Sequence, residues 1–169
     1  MLRFTSFLEE GVNDPSIFKA VFLAGGPGSG KSFMVGKTAL TSFGMKLINS
    51  DPAFERQLAK AGLKATPDDI FTDKGQAARR VAKTLTAKQM ALAVDGRLGL
   101  VIDGTGKDYE KISRQAAKLK ELGYEIAMIF VNTDLETAIN RDQKRARTLG
   151  AKEVTAMWKD VQKNIGKFQ

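Results

Sequence analysis

The chain has 169 residues, carries a formal net charge of +8 and contains neither cysteine nor histidine. A length of this order suits one domain with a core of its own. The lack of cysteine excludes disulfides and thiolate metal sites, and it is typical of proteins in a reducing cytoplasm, where we expect this one. Without histidine, a general base near neutral pH has to be a carboxylate. No apolar stretch approaches the length of a membrane span, so we expect no membrane partner.

In chain order, residues 1–16 are expected to form a short amphipathic segment around Phe4, Phe7 and Leu8, and residues 17–169 to form a single domain. Apolar runs predict four strands, over 17–24, 45–49, 98–102 and 125–131. Because they are dense in apolar residues and alternate with helical segments, they predict an α/β fold: a doubly wound parallel sheet with helices on both faces.

The helices between these strands are predicted over 32–43, 51–61, 74–94, 108–122, from Thr133 into a basic run, and 153–164. Asp51 and Pro52 are expected at the N-cap and first position of the second helix, and Thr133 is expected to open a capping box. The residues expected on buried helix faces are Ala77, Val81, Leu85 and Leu92 in the long helix and Val154, Met157, Trp158 and Val161 in the last one.

The first strand and first helix are joined by a phosphate-binding loop of the form G-x-x-x-x-G-K-[ST]. Its residues are Gly25, Gly26, Pro27, Gly28, Ser29, Gly30, Lys31 and Ser32. Glycines let successive backbone N–H groups point at phosphate oxygens, and the helix N-terminus adds its positive dipole end. Lys31 is expected to reach the β- and γ-phosphates, and the Ser32 hydroxyl to bind Mg²⁺. The motif predicts that ATP and Mg²⁺ bind here; a glycine-rich turn without function is the alternative.

Two acidic residues follow the next two strands, at the sheet edge where ligands bind in doubly wound folds. Asp51 is placed to accept the proton of an acceptor hydroxyl; its alternative role is that of a helix N-cap, and it could perform both. Asp103 could hold a metal-bound water, grip the acceptor, or cap the helix that follows. The segment over 63–75 is expected to form an insertion on the substrate side.

A basic run follows the fourth strand at the same edge. Arg141 and Arg145 are four residues apart and would share a helix face, whereas Arg147 would lie past the helix end. We expect these arginines to close over the triphosphate as a lid and to neutralise charge in the transition state. A solvated charged helix is the alternative.

Together these motifs resemble two related groups of P-loop kinases, over roughly residues 20–165. The sequence from Ile102 to Gly106 resembles the third-strand motif of zeta-toxin-like kinases, and Asn140 to Arg145, followed by Val154 and Met157, resembles the lid of phage 5′-hydroxyl polynucleotide kinases. The resemblance implies that Asp51 is the general base and that Arg141 and Arg147 are lid arginines. It also implies that Asp103 and Thr105 face the acceptor.

The chain departs from these groups in two respects. Zeta toxins usually carry Glu at the position of Asp103. This difference weakens the inference that the chain acts on the nucleotide sugars that zeta toxins phosphorylate. Members of the groups usually have a fifth strand after the lid, so a domain ending at Gln169 is expected to be minimal or truncated. Residues Phe4 to Glu10 resemble proteins of large tailed phages, which implies a phage-encoded protein acting in the host cytoplasm.

Between Arg141 and Gln169, eight Lys and Arg residues stand against three acids, and such a balance favours polyanionic partners. We therefore expect a kinase that phosphorylates a hydroxyl of nucleic acid or a nucleotide, such as a 5′-hydroxyl or a hydroxymethyl-pyrimidine of phage DNA. A zeta-type nucleotide-sugar kinase and a nucleotide-gated binding module with slow ATP hydrolysis are the alternatives. A basic surface without a partner would also account for the charge.

Overall fold

A computed structural model describes residue 14 and residues 16–38, 40–145 and 147–168. In this part of the chain four strands form one sheet: β1 (Lys19–Ala24), β2 (Lys46–Ile48), β3 (Leu100–Asp103) and β4 (Glu125–Phe130). The strand order is β2-β3-β1-β4, and every neighbouring pair is parallel. All four predicted strands are confirmed, with ends that move by one or two residues. The amphipathic segment predicted around Phe4, Phe7 and Leu8 lies outside the described residues.

Helices connect and cover these strands. They are α1 (Lys31–Thr38), α2 (Asp51–Lys60), α3 (Pro67–Ile70), α4 (Asp73–Asp95), α5 (Tyr109–Glu121), α6 (Leu135–Gln143) and α7 (Ala151–Asn164), and a single 3₁₀ turn (Ile165–Lys167) follows. The first helix is shorter than predicted, because the chain turns between residues 40 and 44. Of the helices in the described ranges, none is both long and apolar enough to cross a membrane.

Two apolar layers of the core lie against the sheet, one on each face. Phe22 and Ile102 point to the layer that also contains Ala93 of α4 and Leu119 of α5. Their neighbours Leu23 and Val101 belong to the opposite layer, which includes Val35 of α1. Successive side chains of a strand point to opposite faces, so strands that are apolar throughout have to be covered on both sides. The predicted α/β P-loop fold with helices on both faces is confirmed.

The inner face predicted for α4 is wrong. Val81, Leu85 and Leu92 are 47%, 44% and 72% exposed. The helix instead buries Gly75, Ala78, Ala82 and Ala93. Ala78 and Ala82 pack against Phe54 and Leu58 of α2, and a Cβ at Gly75 would meet the backbone carbonyls of Asp69 and Ile70. Small side chains let two helix backbones approach closely, and this packing outweighs the larger apolar area of the residues left outside.

Two predicted helix starts also move, and one of them matters for the site. The N-cap of α6 is Asp134, which accepts a hydrogen bond from the backbone N–H of Thr137, rather than Thr133. The N-cap of α2 is Ser50, and Asp51 is the first helical residue. The carboxylate of Asp51 is therefore not used as a cap and is available for other contacts.

In α7, Val154 and Val161 are buried as predicted, but Met157 and Trp158 are only partly so. The indole Nε1 of Trp158 donates to the backbone carbonyl of Thr133, and Met157 lines a cavity beside Asp51. These two side chains consequently belong to the edge of the candidate site rather than to the core.

Candidate active site

The phosphate-binding loop lies between the end of β1 and the start of α1, packed against α6. Gly28 has a φ of +74°, and a Cβ at this position would meet the backbone of Ala138 in α6. Only glycine tolerates both the left-handed conformation and this approach. The contact places α6 directly beside the loop, so that the side chains of its last turn reach the loop's carbonyl groups.

Lys31 folds back onto the phosphate-binding loop. Its Nζ donates to the carbonyl oxygens of Gly25 at 2.7 Å and Gly26 at 3.2 Å. Burial lowers the pKa of Lys31, while the negative charge of Asp103 acts in the opposite direction. Both acceptors are neutral, and no acid of the described residues forms an ion pair with this ammonium. A phosphate oxygen would supply the negative charge.

A cavity of about 190 Å³, hereafter the donor cavity, opens over the loop. It is lined by Gly26, Gly28, Ser29, Gly30, Lys31, Ser32, Asp103, Arg141 and Arg145. Most of the residues predicted to bind the triphosphate are therefore brought together. Gly25 instead packs under the loop against Val131, and Pro27 lines the neighbouring cavity.

The arginines of the basic run are divided between two places. Arg141, in the last turn of α6, donates to the carbonyl oxygens of Gly28 at 3.2 Å and Ser29 at 3.3 Å. Arg145 lines the donor cavity, although α6 ends at Gln143 and the predicted helix face shared with Arg141 is wrong. Arg147 does not line the donor cavity. It lies beside Asp51, where its Nη2 is 2.5 Å from Oδ2.

Asp142 holds the segment that carries Arg145 and Arg147. Its side chain is 1% exposed, and Oδ2 accepts from the backbone N–H groups of Leu149 at 2.9 Å and Gly150 at 3.1 Å. A carboxylate in this position ties the segment after α6 to the start of α7. Sequence reasoning missed this residue; the signal was a single acid inside a basic run.

A second cavity of about 160 Å³, hereafter the acceptor cavity, has Asp51 in its wall. Pro27, Lys31, Thr105, Arg145 and Arg147 also line it, together with Phe54 of α2 and Arg79 and Lys83 of α4. Lys31 and Arg145 line both cavities. Arg147, only 13% exposed in its side chain, pairs with Asp51 and lies 3.6 Å from Glu55. The region over 63–75, predicted as a substrate-side insertion, contributes no lining residue to either cavity.

Asn49 links the two predicted acidic residues. Its Oδ1 accepts from the backbone N–H of Asp51 at 2.7 Å, and its Nδ2 donates to Oδ2 of Asp103 at 2.9 Å. One amide at the end of β2 thus links the backbone of Asp51 to the carboxylate of Asp103. Its position two residues before Asp51 was the available signal, because Asn side chains commonly bond the backbone two residues on.

Within the described part of the chain, only one of the two carboxylate oxygens of Asp103 accepts a hydrogen bond, and that oxygen is Oδ2. Oδ1 is buried and has no hydrogen-bond partner among the described residues. Burial raises the pKa of Asp103, with a smaller contribution in the same direction from Asp51, whereas Lys31 and Arg145 lower it. The alternative in which Asp103 caps the next helix does not hold, because Asp108 caps α5.

The donor cavity fits a magnesium ion that arrives with phosphate groups. Ser32 and Asp103 line it together, and the orphaned Oδ1 of Asp103 is an acceptor for a water of such an ion. The described residues contain no cluster of three or more acidic side chains that would hold a metal alone. Mg²⁺ commonly keeps several waters and shares its coordination between one or two protein groups and substrate phosphates.

Replacing Asp103 by asparagine should stabilise the fold at neutral pH. Because the pKa of Asp103 is raised on folding, its ionised form costs stability above that raised value. The cost should vanish as the pH falls below the ordinary carboxyl value of 3.8, where the group is neutral in both states. We expect a higher urea midpoint for the variant at neutral pH and convergence with the parent in acid.

Glu121→Gln is the matched control, since it removes one exposed carboxylate at the end of α5. It should leave the urea midpoint nearly unchanged at every pH. A lower midpoint for Asp103→Asn than for the parent at neutral pH would contradict this prediction, because it would show that the ionised carboxylate of Asp103 stabilises the fold.

The sequence profile of the Zeta toxin family matches residues 10–165, which is most of the chain. The chain belongs to the zeta toxin family. The resemblance to zeta-toxin-like P-loop kinases, predicted from the phosphate-binding loop and the third-strand motif, is thereby confirmed at the level of the family. No curated protein matches this zeta toxin family member in sequence.

Solved structures share the fold of this zeta toxin family member at low identity. One is of the Pnkp1/Rnl/Hen1 RNA repair complex, with 17% identity, a TM-score of 0.67, and coverage of 90% of this chain and 47% of that one. Another is of the PezAT toxin–antitoxin system of Streptococcus pneumoniae, with 19% identity, a TM-score of 0.61, and coverage of 73% and 50%.

A third is of AvrRxo1-ORF1:ORF2 with ATP, with 16% identity, a TM-score of 0.68, and coverage of 89% and 49%. The chain thus spans about half the length of each of these three structures. At these identities the likeness extends to the fold, and the roles of individual side chains stay predictions.

Proposed function

We propose that the protein is an ATP- and Mg²⁺-dependent kinase that transfers the γ-phosphoryl group to a hydroxyl of a nucleic acid or nucleotide. The observation that carries this proposal is the junction of the two cavities. Lys31 and Arg145 line both of them, the phosphate-binding loop lies on one side, and Asp51 lies on the other. A γ-phosphoryl group in the donor cavity would meet an acceptor hydroxyl at that junction.

The residues suit in-line phosphoryl transfer, in which positioning and charge neutralisation supply most of the rate. In this proposal the acceptor oxygen attacks the γ-phosphorus while the bond to the bridging oxygen of ATP breaks, and ADP leaves. The hydroxyl proton passes to Asp51. Arg147 contacts Oδ2 of Asp51, which leaves Oδ1 for the acceptor hydroxyl.

Lys31, Arg141 and Arg145 supply positive charge where negative charge builds up on the transferring group. Lys31 and Arg141 donate to loop carbonyls, and the phosphate oxygens of ATP would replace these carbonyls as their partners. Mg²⁺, bound to the phosphates and to Ser32, would neutralise further charge. Thr105 lines the acceptor cavity, and its carbonyl accepts from the N–H of Gly25, so it joins the acceptor wall to the loop.

The family match favours a second acceptor class, the nucleotide sugars implied by the resemblance to zeta toxins. The positive charge of the C-terminal segment, residues 141–169, is weaker evidence for a long nucleic acid as acceptor than its total suggests. Three of its cations, Arg141, Arg145 and Arg147, line the two cavities. The five lysines that remain stand against the three acids of the same segment, which leaves a net charge of +2 outside the cavities, compared with +5 for the whole segment.

A label-transfer screen tests the proposal. The protein is incubated with γ-labelled ATP and Mg²⁺ and with 5′-hydroxyl DNA, DNA containing hydroxymethyl-pyrimidines, nucleotides or uridine diphosphate sugars. We expect label in a nucleic acid or nucleotide, and label in a sugar nucleotide alone would select the second class. Equal, slow ATP hydrolysis with every acceptor and no labelled product would instead support the nucleotide-gated binding module.

A further inference from the structure

Two cations of α4 line the acceptor cavity, although they belong to none of the motifs found in the sequence. Arg79 and Lys83 are four residues apart, so they lie one above the other on the same side of the helix. Both line the cavity that contains Asp51, and neither lines the donor cavity. The phosphates of ATP therefore do not account for them.

Arg79 packs on an aromatic ring and has a hydrogen-bond donor without a partner in the described part of the chain. Its guanidinium carbon lies 4.9 Å from the centre of the Phe54 ring, and the guanidinium of Arg147 lies 5.7 Å from the same ring. Its Nε is buried without a hydrogen-bond partner among the described residues. A planar guanidinium fixed on an aromatic face, with donors unused, is arranged to grip an oxyanion in two-point fashion.

The nearby acids do not neutralise this pair. Asp51 and Glu55 both contact Arg147. Among the described residues, neither Arg79 nor Lys83 has an ion pair. The pKa of Arg79 is lowered, first by burial and then by the charge of Arg147, with Asp51 opposing. Holding positive charges together at a half-buried position costs stability unless an anion completes the site.

The acceptor cavity also has room for more than a hydroxyl and an anion. Ser50, Lys83 and Thr105 are shared with a third cavity of about 520 Å³ that lies between α4 and α5. Its floor is apolar, formed by Ile48, Ile102 and other side chains of the sheet. Lys83 therefore lies where the cavity around Asp51 passes into a larger one, which has room for a ring and combines this apolar floor with charged side chains such as Asp103, Lys107 and Lys111.

We propose that Arg79 and Lys83 form an anion subsite that binds a phosphate group carried by the acceptor, close to the hydroxyl facing Asp51. The subsite rests on the proposed function in assigning the hydroxyl to Asp51, and it narrows the substrate class to acceptors already bearing a phosphate. Two sources share this chemistry: the 3′-phosphate of a nucleoside with a free 5′-hydroxyl, and the pyrophosphate of a nucleotide sugar.

Calorimetric binding with the donor cavity filled by a non-hydrolysable ATP analogue and Mg²⁺ tests the subsite without turnover. The probes form two sets: thymidine 3′-monophosphate against thymidine, which differ only in the phosphate, and uridine diphosphate glucose against both uridine and glucose, which together lack only the pyrophosphate. We expect the phosphorylated member of at least one set to bind about tenfold or more tightly, and the set that shows the preference identifies the source of the phosphate. No preference in either set would overturn the proposal.

Substitutions then assign the preference to the two side chains. Arg79→Gln should lower affinity for the phosphorylated probe by about 10- to 100-fold, the range for losing hydrogen bonds to a charged group. Lys83→Gln should lower it by about tenfold and leave thymidine, uridine and glucose unaffected. The matched controls are Arg80→Gln and Lys88→Gln, exposed positions of the same helix that line neither cavity, and these should bind like the parent.

Because Arg79 packs on Phe54, Arg79→Lys provides a second variant that keeps the charge while removing the planar fork. It should retain part of the preference. A phosphate preference that survives both Arg79→Gln and Lys83→Gln in folded protein would overturn the subsite.

Two results distinguish failure of the anion subsite from failure of the proposed kinase activity. Phosphate-dependent binding without label transfer would leave the subsite standing alone. Label transfer to thymidine and to thymidine 3′-monophosphate with equal KM would overturn the subsite and support the proposed kinase activity.

Discussion

Asp51→Asn is expected to lower kcat by about 10²- to 10⁴-fold while the affinity for ATP is retained, because loss of a general base typically costs that much. The amide keeps the shape of the side chain but cannot accept the acceptor's proton. Asp51 lines the acceptor cavity and is absent from the donor cavity, so ATP binding has no reason to fall. Single-turnover label transfer and binding of a fluorescent ATP analogue measure the two effects separately.

The ion pair with Arg147 needs its own control, because Asp51→Asn also weakens that contact. Glu55→Gln removes the other acid that faces Arg147, at 3.6 Å, and leaves Asp51 intact. If Asp51 acts as a base, Glu55→Gln should retain most of kcat. Equal losses in both variants would show that the anchoring of Arg147, and not proton transfer, is what Asp51 provides.

Lys31→Ala is expected to abolish measurable transfer. Lys31 is the residue of the phosphate-binding loop that lines both cavities, so its charge can follow the phosphoryl group from ATP to the acceptor. Truncation removes that charge where it stabilises the transition state most. Label transfer at saturating ATP and acceptor measures the loss, and circular dichroism checks that the variant is folded.

Lys37→Ala is the matched control for this variant, since Lys37 is an exposed residue of the same helix whose Nζ lies 5.5 Å from the Phe33 ring. It removes the same charge from α1 and should transfer at the parent rate. Parent-like turnover by folded Lys31→Ala would contradict the assignment of the loop to a reacting triphosphate.

Local signals in the sequence were sufficient for the fold. The four strands are short apolar runs, and the P-loop between β1 and α1 is spelled by its glycines, lysine and serine. The rule that ligands bind beyond the carboxyl ends of parallel strands predicts that Asp51 and Asp103 lie at one edge of the sheet. The structure joins them through Asn49, a contact between neighbouring strands that no spacing along the chain reveals.

The packing of the helices was harder to predict from the sequence than the strands were, as α4 shows. Its largest apolar side chains, Val81, Leu85 and Leu92, predicted the buried face, and the alanine face is buried instead. Periodicity gives the spacing of a helix face, but which face turns inward depends on the partner. Here the partner is α2, whose Phe54 and Leu58 need a neighbour with small side chains.

The sequence by itself determined the P-loop, the parallel sheet and the edge at which charge collects, because each depends on residues close together in the chain. Only the tertiary structure decided how the cations are divided. It places Arg141 and Arg145 over the donor cavity, Arg147 on Asp51, and Arg79 on the ring of Phe54. Long charged side chains reach several ångströms in many directions, so their partners depend on how α2, α4 and α6 pack, and that packing is decided by contacts between residues far apart in the chain.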